Sequence, residues 1–253
     1  MMFLVALRKE LLEQWRTRRV LAVVAVLFAF GLLSPLLALL TPQLMALVPG
    51  AESFAGLLPE PSVVDAVDQY LKNLTQFGIL LALLLTMGLV TQERERGTAA
   101  LVLVKPLPRS AFLGAKLCAM AVTFLIGVVL GAAASFVYTW FLFEPLRIGA
   151  WSAMNGLLWL YLMVYVALAL LASTLSRSLV VAGALGVGLM AVMGTLGALP
   201  ALREYLPGRL LVWGAAMAFG GSAPAAWPAL WASLGIILVS WITAWLIFLR
   251  QEL

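Results

Sequence analysis

The chain has 253 residues, of which 64% are hydrophobic and only 11% charged, with a formal net charge of +5. Soluble domains are roughly half apolar and a quarter charged, so this composition excludes an ordinary soluble fold. A single cysteine, Cys118, excludes an intrachain disulfide, and the lack of histidine removes the usual transition-metal ligand and the commonest general base.

In chain order, residues 1–19 predict an amphipathic helix lying at the inner membrane interface. Leu4, Leu7, Leu11 and Trp15 recur at helical spacing while Arg8, Lys9, Glu13 and Arg16 point elsewhere. Residues 20–41 form the first of six apolar runs; the others are 74–91, 117–141, 152–171, 179–199 and 229–249. Runs of about 20 residues match a hydrocarbon core of roughly 30 Å, and their non-alternating pattern leaves only helices as spanning structures. The first run is too long for a cleaved signal peptide and lacks a small-residue cleavage site, so it reads as a retained span. It is expected to break at Ser34-Pro35 and to end near Thr41-Pro42. Ser62 and Asp65 stand in capping-box spacing, which predicts a helix from about Val63 running into span two.

Between spans two and three lies the charged segment 92–116. Glu93 to Arg96 would carry span two into the cytoplasm, Gly97 and Thr98 permit a bend, and Pro106 and Pro108 halt the apolar stretch that follows. Ser110 to Lys116 then predicts a short helix presenting Phe112 as an exposed knob flanked by Arg109 and Lys116, the form of a peg that fits a groove. Glu93 or Glu95 is expected to pair with Arg8, Arg16 or Arg18 of the interfacial helix. Span three carries Gly127, Gly131 and Ser135, and span five carries Gly183, Gly186, Met190, Gly194 and Gly197 on one face, patterns that allow close helix approach or a smooth wall. The external segment 200–228 is mostly apolar yet punctuated by proline and glycine, which suits short re-entrant helices.

Twelve of the 16 Lys and Arg residues fall on the flanks that include both termini and the 92–116 loop, against four on the other side. This asymmetry places both termini in the cytoplasm. Nucleic-acid binding is not implied, because no basic patch sits on a soluble fold. No catalytic constellation and no metal-ligand cluster stand out, and the spans carry no charge for coupling ions. A GxxxxGK[ST] phosphate loop is also missing, so the chain has no such route to ATP hydrolysis.

The stretch ERERGTAALVLVKPLPRSAFLGAKL resembles the signature loop of the type-2 ATP-binding-cassette (ABC-2) permeases. Glu95-Arg96-Gly97-Thr98, Lys105-Pro106, Arg109 and Gly114 to Lys116 match its pattern, with Ala115 inserted between Gly and Lys. The resemblance implies an all-α membrane protein: one permease domain over 1–253, six transmembrane helices, an N-terminal interfacial helix and a cytoplasmic coupling helix between spans two and three. It further implies a prokaryotic inner-membrane export subunit acting with a separate cytoplasmic ATPase, which would hold the ATP and Mg, and with a second permease copy or paralogue. Lys105, Pro106, Arg109, Phe112 and Lys116 would then face the ATPase, and spans two and five would line the path. With no charge on that path, a lipophilic or amphiphilic substrate is expected. The alternatives are a non-transporting scaffold or regulatory subunit and an uncharged pore or scramblase; a neighbouring gene for an ATPase would discriminate among them.

Overall fold

Among the described residues, six helices are long and apolar enough to cross a membrane: Arg19–Ala46, Val63–Glu95, Arg109–Leu142, Ile148–Leu175, Leu179–Ala198 and Trp227–Leu249. The computed structural model describes residues 2–47, 60–95, 97, 108–221 and 224–251. In order, the elements are α1 (Met2–Arg16), α2 (Arg19–Ala46), α3 (Val63–Thr86), α4 (Thr91–Glu95), α5 (Arg109–Leu142), α6 (Ile148–Leu175), α7 (Leu179–Ala198), α8 (Gly208–Ala218) and α9 (Trp227–Leu249). Among the described residues there is no strand.

The centre of the bundle is α6, whose residues from Leu157 to Ala172 are almost all buried. It is surrounded by α3, α5, α7, α8 and α9, while α2 lies outside it and packs on α5 and α3. Two indole N–H groups reach carbonyls of α5 from α6, Trp151 to Ala132 at 3.2 Å and Trp159 to Ala121 at 3.0 Å. Polar side chains within the bundle pair with one another: Asn73 donates to Ser34 at 2.9 Å, and Tyr70 to Asn155 at 2.5 Å. Each would be costly if left unpaired in an apolar interior.

Two expectations change. Helix α2 does not break at Pro35 or stop at Pro42; it runs through both to Ala46. The hydroxyls just before each proline, Ser34 and Thr41, bond back to the carbonyls of Phe30 and Leu37. Such local back-bonding helps a membrane helix accommodate proline, where no water competes for the backbone. The second change is an interruption inside span two. Residues 87–90 leave the regular helix before α4 begins, ahead of the bend expected at Gly97 and Thr98. Gly97 does adopt a left-handed φ of 68°, whereas Thr98 lies outside the described residues. The 200–228 segment does hold a short helix, α8, of eleven residues. At about 1.5 Å per residue it is about half the length needed to cross the core. It packs against α6, with Gly214 seated on Met154 and Leu210 buried beside Leu157 and Leu160.

The interruption at 87–90 has a specific partner. The amides of Val90 and Thr91 donate to the Ser173 hydroxyl at 3.1 and 3.3 Å, and the Thr91 hydroxyl lies 2.8 Å from the Ser173 carbonyl. A serine near the end of α6 thus satisfies backbone groups that the break removes from the helical ladder. Ser173→Ala should cost about 1–3 kcal/mol, because two buried donors lose their acceptor. The check is a lower thermal midpoint in detergent; an unchanged midpoint would mean that the break relaxes without cost.

Candidate functional site: a charged knot at one end of the bundle

Helix α5 has 34 residues. At about 1.5 Å each it exceeds a hydrocarbon core of roughly 30 Å by several turns. The excess at its N-terminal end, Arg109 to Lys116, meets α1, α4 and α9. Lys116 is only 1% exposed, and its ammonium lies 3.1 Å from both carboxylate oxygens of Glu10 and 2.7 Å from Glu93 Oε1. Lys9 joins the group, 2.9 Å from Glu10, 2.9 Å from Glu13 and 3.2 Å from Glu93. Two ammonium groups and three carboxylates therefore alternate in space, which lets buried charges offset their desolvation. The Glu10, Glu13 and Glu93 carboxylates come close enough together to bracket a cation, and the lysines already supply that charge.

This arrangement sets which face of α1 is packed. Glu10 and Gln14 are buried, Gln14 accepting a hydrogen bond from Thr123 of α5, while Leu4 and Trp15 (73% exposed) are uncovered. The leucine stripe lies about a quarter turn from the buried polar face. Arg8, Arg16 and Arg18 are exposed and form no ion pair with a described residue. Glu93 pairs instead with Lys9 and Lys116, and Glu95 accepts the Leu179 amide at the start of α7, at 3.1 Å. The pairing of this loop with α1 is present, but through lysine. Arg96 lies outside the described residues.

Burial opposes the Lys9 ammonium, yet the charges of Glu10 and Glu93 outweigh it and hold its pKa above the usual 10.5. Burial also opposes the Glu13 carboxylate, but the Lys9 hydrogen bond and charge bring it below 4.5. The Glu13 contribution is therefore present above its ordinary pKa and lost as pH falls through the lowered one. That of Lys9 is complete below its ordinary pKa and lost as pH rises through the raised one. Attachment of α1, followed by an environment-sensitive fluorophore on Leu12→Cys in a Cys118→Ser background, should be constant from about pH 5 to pH 10 and loosen below about pH 4. A steady change across neutral pH would contradict it.

Arg109 ties the same end of α5 to α9. Its guanidinium donates to the carbonyls of Phe248, Leu249 and Gln251 at 2.5, 2.9 and 3.1 Å, taking up acceptors that a helix C-terminus leaves open. Gln251 donates on to Thr174 at the end of α6, at 3.0 Å, and Arg94 to Thr174 and Ser176 at 3.4 and 3.3 Å. Phe112 is not an exposed knob. It is 2% exposed, stacked on Phe248 with centroids 5.5 Å apart and covered by the Lys116 ammonium at 4.8 Å. The helix turns its aromatic side to the bundle because Phe248 and Lys116 complete a dry pocket for it there, so replacing Phe112 would disturb the core. Lys105 and Pro106 lie outside the described residues; Pro108 is exposed, and Ser110 and Ala111 are half-buried.

The span-five glycines divide into two groups. A Cβ at Gly186 would strike the Leu83 side chain, and one at Gly183 would lie 3.1 Å from Met87, so both seat α7 against α3 and its break. Met190 packs at the edge of the core. Gly194 and Gly197 have open space before them and line a cavity near the other end of α7. In span three, Gly127 and Gly131 face Val23 and Leu27 of α2.

What this end of the bundle can do is mechanical. The first turns after the 92–108 loop are joined by charge to α1 and α4 and by hydrogen bonds to α9, and α4 is joined to the α6–α7 turn. Comparison with known proteins agrees with this architecture. The chain is 26% identical over 213 residues to an uncharacterized transmembrane protein, YxlG, of Bacillus subtilis (strain 168), covering 81% of this chain and 80% of the relative. The sequence family described as ABC-2 family transporter protein matches residues 4–253, and with its six apolar helices this integral membrane protein belongs to that family.

Proposed function

We propose that this chain is the membrane-spanning subunit of an ATP-driven exporter, moving a lipophilic or amphiphilic substrate outward by alternating access. ATP and Mg are held by a separate cytoplasmic ATPase, and both termini of the permease lie on the cytoplasmic side of a prokaryotic inner membrane. The observation that carries this reading is the locking of α5's first turns to α1, α4 and α9 through Lys116 and Arg109. A load applied to the loop preceding Arg109 is passed to those helices at once, as a motor-driven permease needs and a passive pore does not.

In this reading the ATPase grips the loop through Lys105, Pro106 and the exposed side of Pro108 to Ala111, while Phe112 and Lys116 pass the load inward. Gly97 and its neighbours Arg96 and Thr98 give the loop its hinge. A second permease copy packs along α7, whose only buried residues in the single chain are Ala182 and Gly186.

The test is Ser110→Cys in a Cys118→Ser background, co-expressed with a candidate cytoplasmic ABC ATPase from the same genome. A crosslink from position 110 to that ATPase, with ATP hydrolysis stimulated by the permease, is the expected result. Absence of both, in protein that inserts and folds normally, would refute the docking site and favour a scaffold role.

A further inference from the structure

Near the end of the bundle away from the charged knot, the second half of α7, the middle of α6, the 199–207 turns and the start of α8 enclose a cavity of ≈ 290 Å³. Two tyrosines give its lining a polar element. Tyr161 and Tyr165, both 8% exposed, point their hydroxyls at one another across 3.3 Å. Two hydroxyls sharing one hydrogen bond use one proton between them, which leaves the second O–H free to donate. Arg203, exposed, and Arg209, half-buried, also line the cavity, and neither side chain has an ion-pair or hydrogen-bond partner among the described residues. Gly194 leaves one wall bare, and Met193 makes it apolar.

Two guanidiniums without a protein partner, at the rim of a recess that holds a buried hydroxyl pair, offer converging donors to an anionic acceptor. Arginine presents a planar donor fork suited to phosphate and carboxylate oxygens, and such charge-assisted bonds strengthen where water is scarce. The recess is roughly the volume of a small headgroup and of the first carbons behind it. A cation would meet two positive charges. A neutral alkane would leave the buried tyrosine proton unanswered.

We infer that this cavity binds the headgroup of an anionic amphiphile, with Arg203 and Arg209 holding a phosphate or carboxylate, the Tyr161–Tyr165 pair donating to it, and the chain lying against the apolar wall at Met193 and Gly194. Naming that amphiphile as the cargo rests on the exporter reading; the site itself does not.

The experiment uses the full chain in nanodiscs of neutral lipid, with equilibrium dialysis of radiolabelled decyl phosphate. Decanol and inorganic phosphate serve as competitors. Saturable binding of decyl phosphate is expected, with decanol and inorganic phosphate each competing at least about tenfold less well, since each carries half of the recognised chemistry. The double variant Arg203→Gln/Arg209→Gln should weaken binding by about tenfold or more. Gly194→Leu, which places its side chain in open space and leaves the guanidiniums intact, should block binding by filling the recess. Equal competition by inorganic phosphate would reassign the site to a free anion. Binding unchanged in both variants would overturn the inference. With the ATPase added, binding without export would sink the exporter reading alone, whereas export that ignores both variants would sink this site alone.

Discussion

Lys116→Met should destabilise the folded protein by about 3 kcal/mol and weaken coupling between the loop and the bundle, leaving only the Arg109 tie to α9. Removing one partner of a buried ion pair typically costs about 3–5 kcal/mol, because the remaining charge is held away from water without its counterion. The lower end applies here, since Lys9 stays 2.9 Å from Glu10. The companion variant separates charge from packing. Lys116→Met combined with Glu10→Gln should recover much of the lost stability, because a neutral amide beside a thioether carries no uncompensated charge. Coupling should stay weakened, since the electrostatic joint between α5 and α1 is gone. Thermal midpoints in detergent give the first quantity, and permease-stimulated ATP hydrolysis gives the second. Full activity in the double variant would show that the joint is only structural.

Gly131→Leu should prevent α2 from docking on α5 and yield little folded protein. A Cβ at Gly131 would lie 2.7 Å from the Leu27 carbonyl oxygen and 3.1 Å from its carbon, and one at Gly31 would strike the Gly131 carbonyl. The two glycines therefore set the separation of the backbones, and backbone cannot rotate aside as a side chain can. Even Gly131→Ala forces the helices apart, at about 1–3 kcal/mol for an overpacked contact. The control is Gly188→Leu in α7, where no atom lies within 4 Å of the added carbon. Normal yield of Gly131→Leu in a monodisperse peak would contradict the crossing described.

Hydropathy made the spans legible because lipid imposes one solution on the backbone, and residue type made the charged loop stand out. The partners within the knot were hidden, because Lys116 and Glu10 are 106 residues apart and Lys116 and Glu93 are 23 apart. A charged residue beside a membrane reads as solvated or snorkelling unless its counter-charge is known. For α1, the leucine stripe suggested one face, but the packed face was selected by Glu10 and Gln14 finding Lys116 and Thr123. Phe112 was misplaced for the same reason, since local spacing cannot reveal that Phe248 waits beside it. The prolines of α2 offered a sharper clue. Each follows a serine or threonine able to turn back on its own helix, so the pair of residues carries the signal and the proline alone does not.

The bond between Arg109 and the end of α9 has a consequence for biogenesis. Its acceptors at Phe248, Leu249 and Gln251 lie about 140 residues downstream, so a ribosome making this chain inserts spans two and three long before Arg109 has anything to hold. Phe112 likewise waits for Phe248 to complete its stack. The loop that precedes Arg109 thus acquires its rigid footing only once the last span has been inserted. In the exporter reading proposed above, an ATPase that needs the Arg109 end of α5 held in place would engage only chains whose α9 has already been inserted.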